Sequence, residues 1–137
     1  MGKLYLPELD ALDFVQRAAN QPVIVTARLS LFEMQRLAFR KEGDGLIPAG
    51  SAEMVVTQVE QDIAAHEIRV IDIDAKVEAE FGALLRLCYR RTPVLAIRTF
   101  DAVHLATARA AGETEVVTTD KKMRDAAKLV GLSLFPV

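Results

Sequence analysis

Four short apolar runs recur along this chain, each separated from the next by at least one helix-length segment. That alternation limits the fold more than any other feature. Val23-Ile24-Val25-Thr26-Ala27 is a continuous, mostly β-branched run, suited to a strand buried on both faces. Ile68-Arg69-Val70-Ile71-Asp72-Ile73 alternates with period two and reads as a half-buried or edge strand. Residues 115–119 and 132–136 supply the third and fourth strands. Between them, helices are expected over 29–41 and 48–65, joined as a hairpin across Gly43-Asp44-Gly45, and over 75–90 behind Asp74 as N-cap. Two more are expected over 100–111, capped by Thr99 and stopped by Gly112, and over 121–130, stopped by Gly131. A short helix over 8–20, halted by Asn20-Gln21-Pro22, precedes them all. Strands joined through helices need crossover connections. The expectation is therefore one α/β domain over 1–137 with a mainly parallel four-stranded sheet flanked by helices.

The length of 137 residues suits a single core. No apolar run approaches the ~18–20 residues of a membrane span, and the start, Met1-Gly2-Lys3-Leu4-Tyr5-Leu6-Pro7-Glu8, has no apolar stretch of signal-peptide length. The lone cysteine, Cys88, sits in an apolar helical pattern and reads as an ordinary buried thiol; a cytoplasmic location is expected. The net charge of −2 gives no global attraction for nucleic acid, although local charge decides contacts. The basic residues fall in three groups, around Arg36, Arg86 and Lys121-Lys122-Arg124, whose simplest reading is solvated helix faces.

Chemistry concentrates in two segments, Thr99-Phe100-Asp101-Ala102-Val103-His104 and Val116-Val117-Thr118-Thr119-Asp120-Lys121-Lys122. Asp101 opens an alanine-rich amphipathic helix; Asp120, nineteen residues later, follows a short strand. In a parallel α/β sheet, strand C-termini and helix N-termini gather at one edge, so the two acids are expected to meet there, and Glu33 can join them. Clustered carboxylates suit hard divalent cations, which points to metal-assisted hydrolysis. Each acid also has a simpler reading. Asp101 interacts well with its helix dipole, Asp120 is a standard N-cap, and Glu33, set among Leu29, Leu31, Phe32, Met34 and Leu37, either reaches solvent or is held by a partner or metal. His104 shares a face with Asp101 at i+3 and reads as a partly buried histidine rather than a ligand. Thr118 and Thr119 are plain strand residues unless one hydroxyl orients a carboxylate or a metal-bound water. No glycine-rich phosphate loop follows a strand, and no nucleophile elbow is present, so nucleotide binding and acyl transfer are poorly supported.

Taken together, VIVTARLSLFE (23–33), IRTFDAVHLATARAAG (97–112) and VVTTDKKMRDAAKLVGL (116–132), with KLYLPE at 3–8, resemble the PIN-domain nucleases, especially the VapC-type toxin ribonucleases of toxin–antitoxin modules. The resemblance implies a metal-dependent endoribonuclease binding one or two Mg²⁺ or Mn²⁺ ions, with Glu33, Asp101 and Asp120 as catalytic metal ligands. It implies Arg98, Lys121, Lys122 and Arg124 as phosphate contacts and Thr118 and Thr119 as supporting residues. RNA substrate, an antitoxin protein and a second copy of the chain are the implied partners. For the homodimer, Met54, Val55, Leu84, Leu87 and Tyr89 are the apolar residues available, unless they pack within the helical layer.

One part of the family pattern has no counterpart here. The family begins with a strand ending in an aspartate a few residues before the Lys-Leu-Tyr-like segment, and this chain starts at Met1, just before that segment. The expectation is a PIN-like domain truncated at its N-terminus, with strands 22–27 and 115–119 flanking a vacant central position that they must close, borrow a segment to fill, or fill from residues outside this sequence. Three acids in place of four imply weak metal binding and slow or no cleavage. The competing expectation is a non-catalytic PIN-like module that binds an antitoxin peptide or itself; a third is a doubly wound domain with no site at its acids.

Overall fold

The computed structural model describes residues 23–136. The helix expected over 8–20 and the segment at 3–8 lie outside the described residues. The chain divides into two compact units, the first ending at Val70 and the second running from Ile71 onward.

In the first unit, β1 (Ile24–Ala27) runs directly into α1 (Arg28–Gly43), and α2 (Ser51–Ala64) leads to β2 (Ile68–Ile71), which pairs with β1. The helical hairpin expected from the sequence packs around Ala38 of α1 and Ala52 of α2, both small, with Ile47 of the connection buried against them. It turns at Pro48-Ala49-Gly50, which is why α2 starts at Ser51 rather than 48: the Ser51 N–H donates to the Pro48 carbonyl at 3.1 Å, and Gly50 takes a φ of 87°, a left-handed value that suits glycine. The N–H of Ala52 is satisfied from across the hairpin by Glu42 Oε1 at 3.1 Å, in place of a local side-chain cap.

The second unit contains α3 (Ala75–Tyr89), α4 (Thr99–Ala110), β3 (Glu115–Val117), α5 (Lys121–Leu129) and β4 (Ser133–Phe135). β3 and β4 are parallel, with Val116 opposite Leu134, and α5 is their crossover. Alternation of strand and helix thus gives the α/β class expected, but among the described residues the four strands pair two by two, β1 with β2 and β3 with β4, and do not form the single four-stranded sheet expected. The core joins Leu84 and Cys88 of α3, Ile97, Leu105 of α4, and Ala126 and Ala127 of α5, all nearly inaccessible. Leu84 is therefore an internal packing residue and not part of an exposed apolar face, whereas Met54, Leu87 and Tyr89 remain 73%, 45% and 47% exposed.

Two expected caps behave differently. Asp74 caps α3 as anticipated, accepting from the Val77 N–H at 2.9 Å. Thr99 does not cap α4: it is the first helical residue, Arg98 holds the N-cap position, and no side chain caps that end. The expected strand over 115–119 stops at Val117, because beyond it only the Thr118 N–H stays in the ladder, bonded to the Phe135 carbonyl at 3.1 Å, before the chain turns into α5.

Candidate active site

The chain reaches Asp101 from α3 through the segment 90–98. The Leu95 N–H donates to the Cys88 carbonyl at 3.0 Å, Ile97 is buried, and the Ile97 carbonyl accepts the Tyr89 hydroxyl at 2.9 Å. The backbone beside Arg98 is therefore tied down while the Arg98 side chain stays 69% exposed. Asp101 follows in the first turn of α4, where a carboxylate is favoured by the unsatisfied N–H groups of the helix start, and its side chain is only 15% exposed.

Asp120 is set by the turn from β3 into α5. Its N–H donates to Thr118 Oγ1 at 3.2 Å, and its Oδ1 accepts from the Met123 N–H at 2.9 Å, capping α5. Arg124 closes the turn by donating from Nη1 to the Thr118 carbonyl at 2.9 Å. The simpler reading of Asp120 as an N-cap is thus realised, but it uses only one carboxylate oxygen.

The other oxygen faces Arg98. Arg98 Nε lies 3.1 Å from Asp101 Oδ2, and Arg98 Nη2 lies 3.6 Å from Asp120 Oδ2. Asp101 and Asp120, nineteen residues apart in sequence, therefore meet on one guanidinium. Each such pair is partly solvated and worth about 0.2–1 kcal/mol, weak enough to exchange.

The remaining candidates are placed as follows. Thr118 supports the Asp120 backbone through its hydroxyl, and Thr119 is exposed in the same turn. Lys121 is 90% exposed and pairs with Asp125 at 3.4 Å; Lys122 is exposed. Arg124 is half-buried and engaged with Thr118. Glu33 is exposed on α1, in the first unit, and His104 is half-buried one turn beyond Asp101. Among the described residues no group of three or more His, Cys, Asp or Glu is arranged to hold a metal ion. The two converging carboxylates nonetheless fit Mg²⁺ or Mn²⁺ by their chemistry, since Mg²⁺ is commonly held by one or two carboxylates and completes its shell with water.

Sequence reasoning placed Arg98 at the substrate and overlooked its pairing with the acids. Its spacing of three residues before Asp101 was the available signal. The Tyr89 hydroxyl bond to Ile97 had no such signal, because its partner is a backbone carbonyl in an irregular segment.

Parallel β3 and β4 around a crossover helix, with acids gathered at the starts of α4 and α5, define an α/β protein with a carboxylate pair at its helix N-termini. The PIN domain family matches residues 4–129, and the chain belongs to that family, whose function is of the nuclease type and generally uses divalent metals. No curated protein matches it. Among the described residues no helix is long and apolar enough to cross a membrane.

Proposed function

We propose that this chain is a metal-dependent endoribonuclease in which Asp101 and Asp120 supply acidic ligands for Mg²⁺ or Mn²⁺. One observation carries the reading: two carboxylates distant in sequence each turn an oxygen to the same guanidinium. A divalent cation bound at these acids supplies an activated water and charge stabilisation on the phosphate. The chain's own residues position it. The cap to Met123 holds Asp120 by Oδ1 and leaves Oδ2 for the site, and the Thr118 hydroxyl and Arg124 fix the turn beneath it. Lys121 and Lys122, both exposed beside Asp120, are suited to hold a phosphate backbone, with Arg98 close by.

The biological role we favour is that of a cytoplasmic, homodimeric toxin controlled by an antitoxin. An open apolar groove between α1 and α2, lined by Leu31, Phe32, Val56 and Ile63, supports an antitoxin helix as occupant, and Phe32 is 60% exposed there. A non-catalytic binding module is the second reading. What favours it is Arg98 itself, because an acid pair matched by an intrinsic cation is a common structural arrangement.

Incubation of the purified chain with a structured RNA and Mn²⁺ separates the two. Cleavage that is stopped by EDTA and by Asp101→Asn supports the nuclease. Cleavage indifferent to Asp101→Asn and Asp120→Asn removes these acids from the mechanism, and intact RNA under all metals leaves the binding module.

A further inference from the structure

We infer that Arg98 is a built-in counter-ion that competes with a divalent cation for the Asp101–Asp120 pair, so that the cation enters only as the guanidinium leaves. The inference rests on the metal-dependent reading of the site and adds its regulation by the chain itself. The oxygen inventory carries it. Asp120 Oδ1 is committed to the Met123 N–H, so Oδ2 is the atom through which Asp120 can best offer a ligand without uncapping α5. That atom is the one facing Arg98 Nη2 at 3.6 Å. On the other side, Arg98 Nε occupies Asp101 Oδ2 at 3.1 Å. Guanidinium and divalent cation therefore both address Asp120 Oδ2 and share the Asp101 carboxylate, and their like charges repel at such short range.

The geometry also shows how the exchange is made. Backbone on the N-terminal side of Arg98 is anchored by the Tyr89–Ile97 bond, and on the C-terminal side it enters α4, so only the side chain has to move. That side chain is 69% exposed, and neither of its ion pairs is deeply buried, so release costs little. A released guanidinium stays within its own length of the acids, where a phosphate group, with two oxygens to accept, is a suitable bidentate partner. One residue thus masks the acids in the metal-free protein and becomes available to substrate when metal binds.

The test is Mn²⁺ binding to the full chain, read from the electron paramagnetic resonance signal of free Mn²⁺, in wild type, Arg98→Gln, Asp101→Asn and Asp120→Asn. Arg98→Gln is expected to bind Mn²⁺ roughly three- to thirtyfold more tightly than wild type, and both acid variants more weakly. Equal or weaker binding by Arg98→Gln, with binding still lost in Asp101→Asn, overturns the competition and leaves the nuclease site standing. Binding indifferent to both acid variants overturns the site and the competition together. A second measurement does not depend on a substitution at Arg98. In wild-type protein the Arg98 Nε–H resonance is expected to shift toward that of free arginine as Mg²⁺ is added; a resonance that stays in place while Mg²⁺ saturates the protein overturns the exchange.

Discussion

Asp101 and Asp120 share a single guanidinium: Arg98 reaches Asp101 Oδ2 through Nε at 3.1 Å and Asp120 Oδ2 through Nη2 at 3.6 Å. The convergence follows from two helix starts, since α4 and α5 each present a carboxylate in or just before the first turn. At Asp120 one oxygen serves the cap of α5 while the other faces the guanidinium, so its substitution is read on stability and on activity separately.

Arg109 ties three elements of the second unit together. Its Nε donates to Glu80 Oε2 of α3 at 2.9 Å, and its Nη1 donates to the Val130 carbonyl at the end of α5 at 2.8 Å. Both side chains of the ion pair are about one-third exposed, so the pair alone contributes within about 0.2–1 kcal/mol. The bond to the carbonyl adds about 1 kcal/mol. Arg109→Met is expected to lower unfolding free energy by about 1–2 kcal/mol and Glu80→Gln by less than about 1 kcal/mol. Urea titration checks both; equal losses would show that the bond to Val130 contributes nothing.

Cys88 gives the stability a dependence on alkaline pH. It is fully buried in α3, and burial pushes its thiol above the ordinary value of 9.0, with the Arg91 guanidinium pulling in the opposite direction to a lesser extent. The folded chain then keeps its thiol proton to higher pH than the unfolded chain. Above about pH 9 the unfolded state binds fewer protons, so this contribution is complete below that pH and is lost as pH rises through the folded value. Wild type is expected to lose stability between about pH 8 and pH 10 by more than Cys88→Ala does, in parallel urea titrations. The same loss in both proteins would show that the thiol is not the titrating group.

Helix endings offer a stability gain at one position. Gly112 and Gly131 close α4 and α5 with φ values of 75° and 80°, as their sequence positions lead one to expect. His66 does the same work for α2 with φ 61°: its N–H reaches the Ile63 carbonyl at 3.1 Å, and the Glu67 N–H reaches the Asp62 carbonyl at 2.9 Å. A side chain in this conformation costs about 1–2 kcal/mol, partly offset when glycine replaces it by the freer unfolded chain. His66→Gly is expected to raise stability by about 0.5–1 kcal/mol, read as a Tm increase of a few degrees. An unchanged or lower Tm would mean that the imidazole makes up for its own strain.

The order of elements was legible where a helix carries a clear start or stop. Asp74 and Asp120 are N-caps, Gly112 and Gly131 are terminators, and the β-branched run at 23–27 has no competing helical pattern. The misplaced cap at Thr99 arose because a threonine before an amphipathic run suits either the cap or the first turn, and only the extended backbone at Arg98 decides between them. Leu84 and Leu87 look alike in sequence, yet one is buried and the other half exposed, since a helix's burial depends on what packs over it. The two acids were legible as helix-start carboxylates. Their common partner was not, because the Arg98–Asp120 contact joins segments through tertiary structure alone.

Asp120 separates structure from chemistry most cleanly, because its two oxygens have different partners. Oδ1 caps α5 through the Met123 N–H, and Oδ2 faces Arg98. Asparagine is as good an N-cap as aspartate, so Asp120→Asn keeps the cap with its side-chain oxygen while losing the negative charge; its stability is expected to stay within about 0.5 kcal/mol of wild type. Alanine removes the cap as well and is expected to cost about 1 kcal/mol. If Asp120 is a metal ligand as proposed, both variants lose Mn²⁺-dependent cleavage to the same extent, by about a hundredfold or more, despite their different stabilities. The measurement is a pair of thermal melts set beside a pair of cleavage time courses below the melting range. Activity that followed stability, with Asp120→Asn close to wild type in both, would reduce Asp120 to a helix cap and leave Asp101 without its partner in the site.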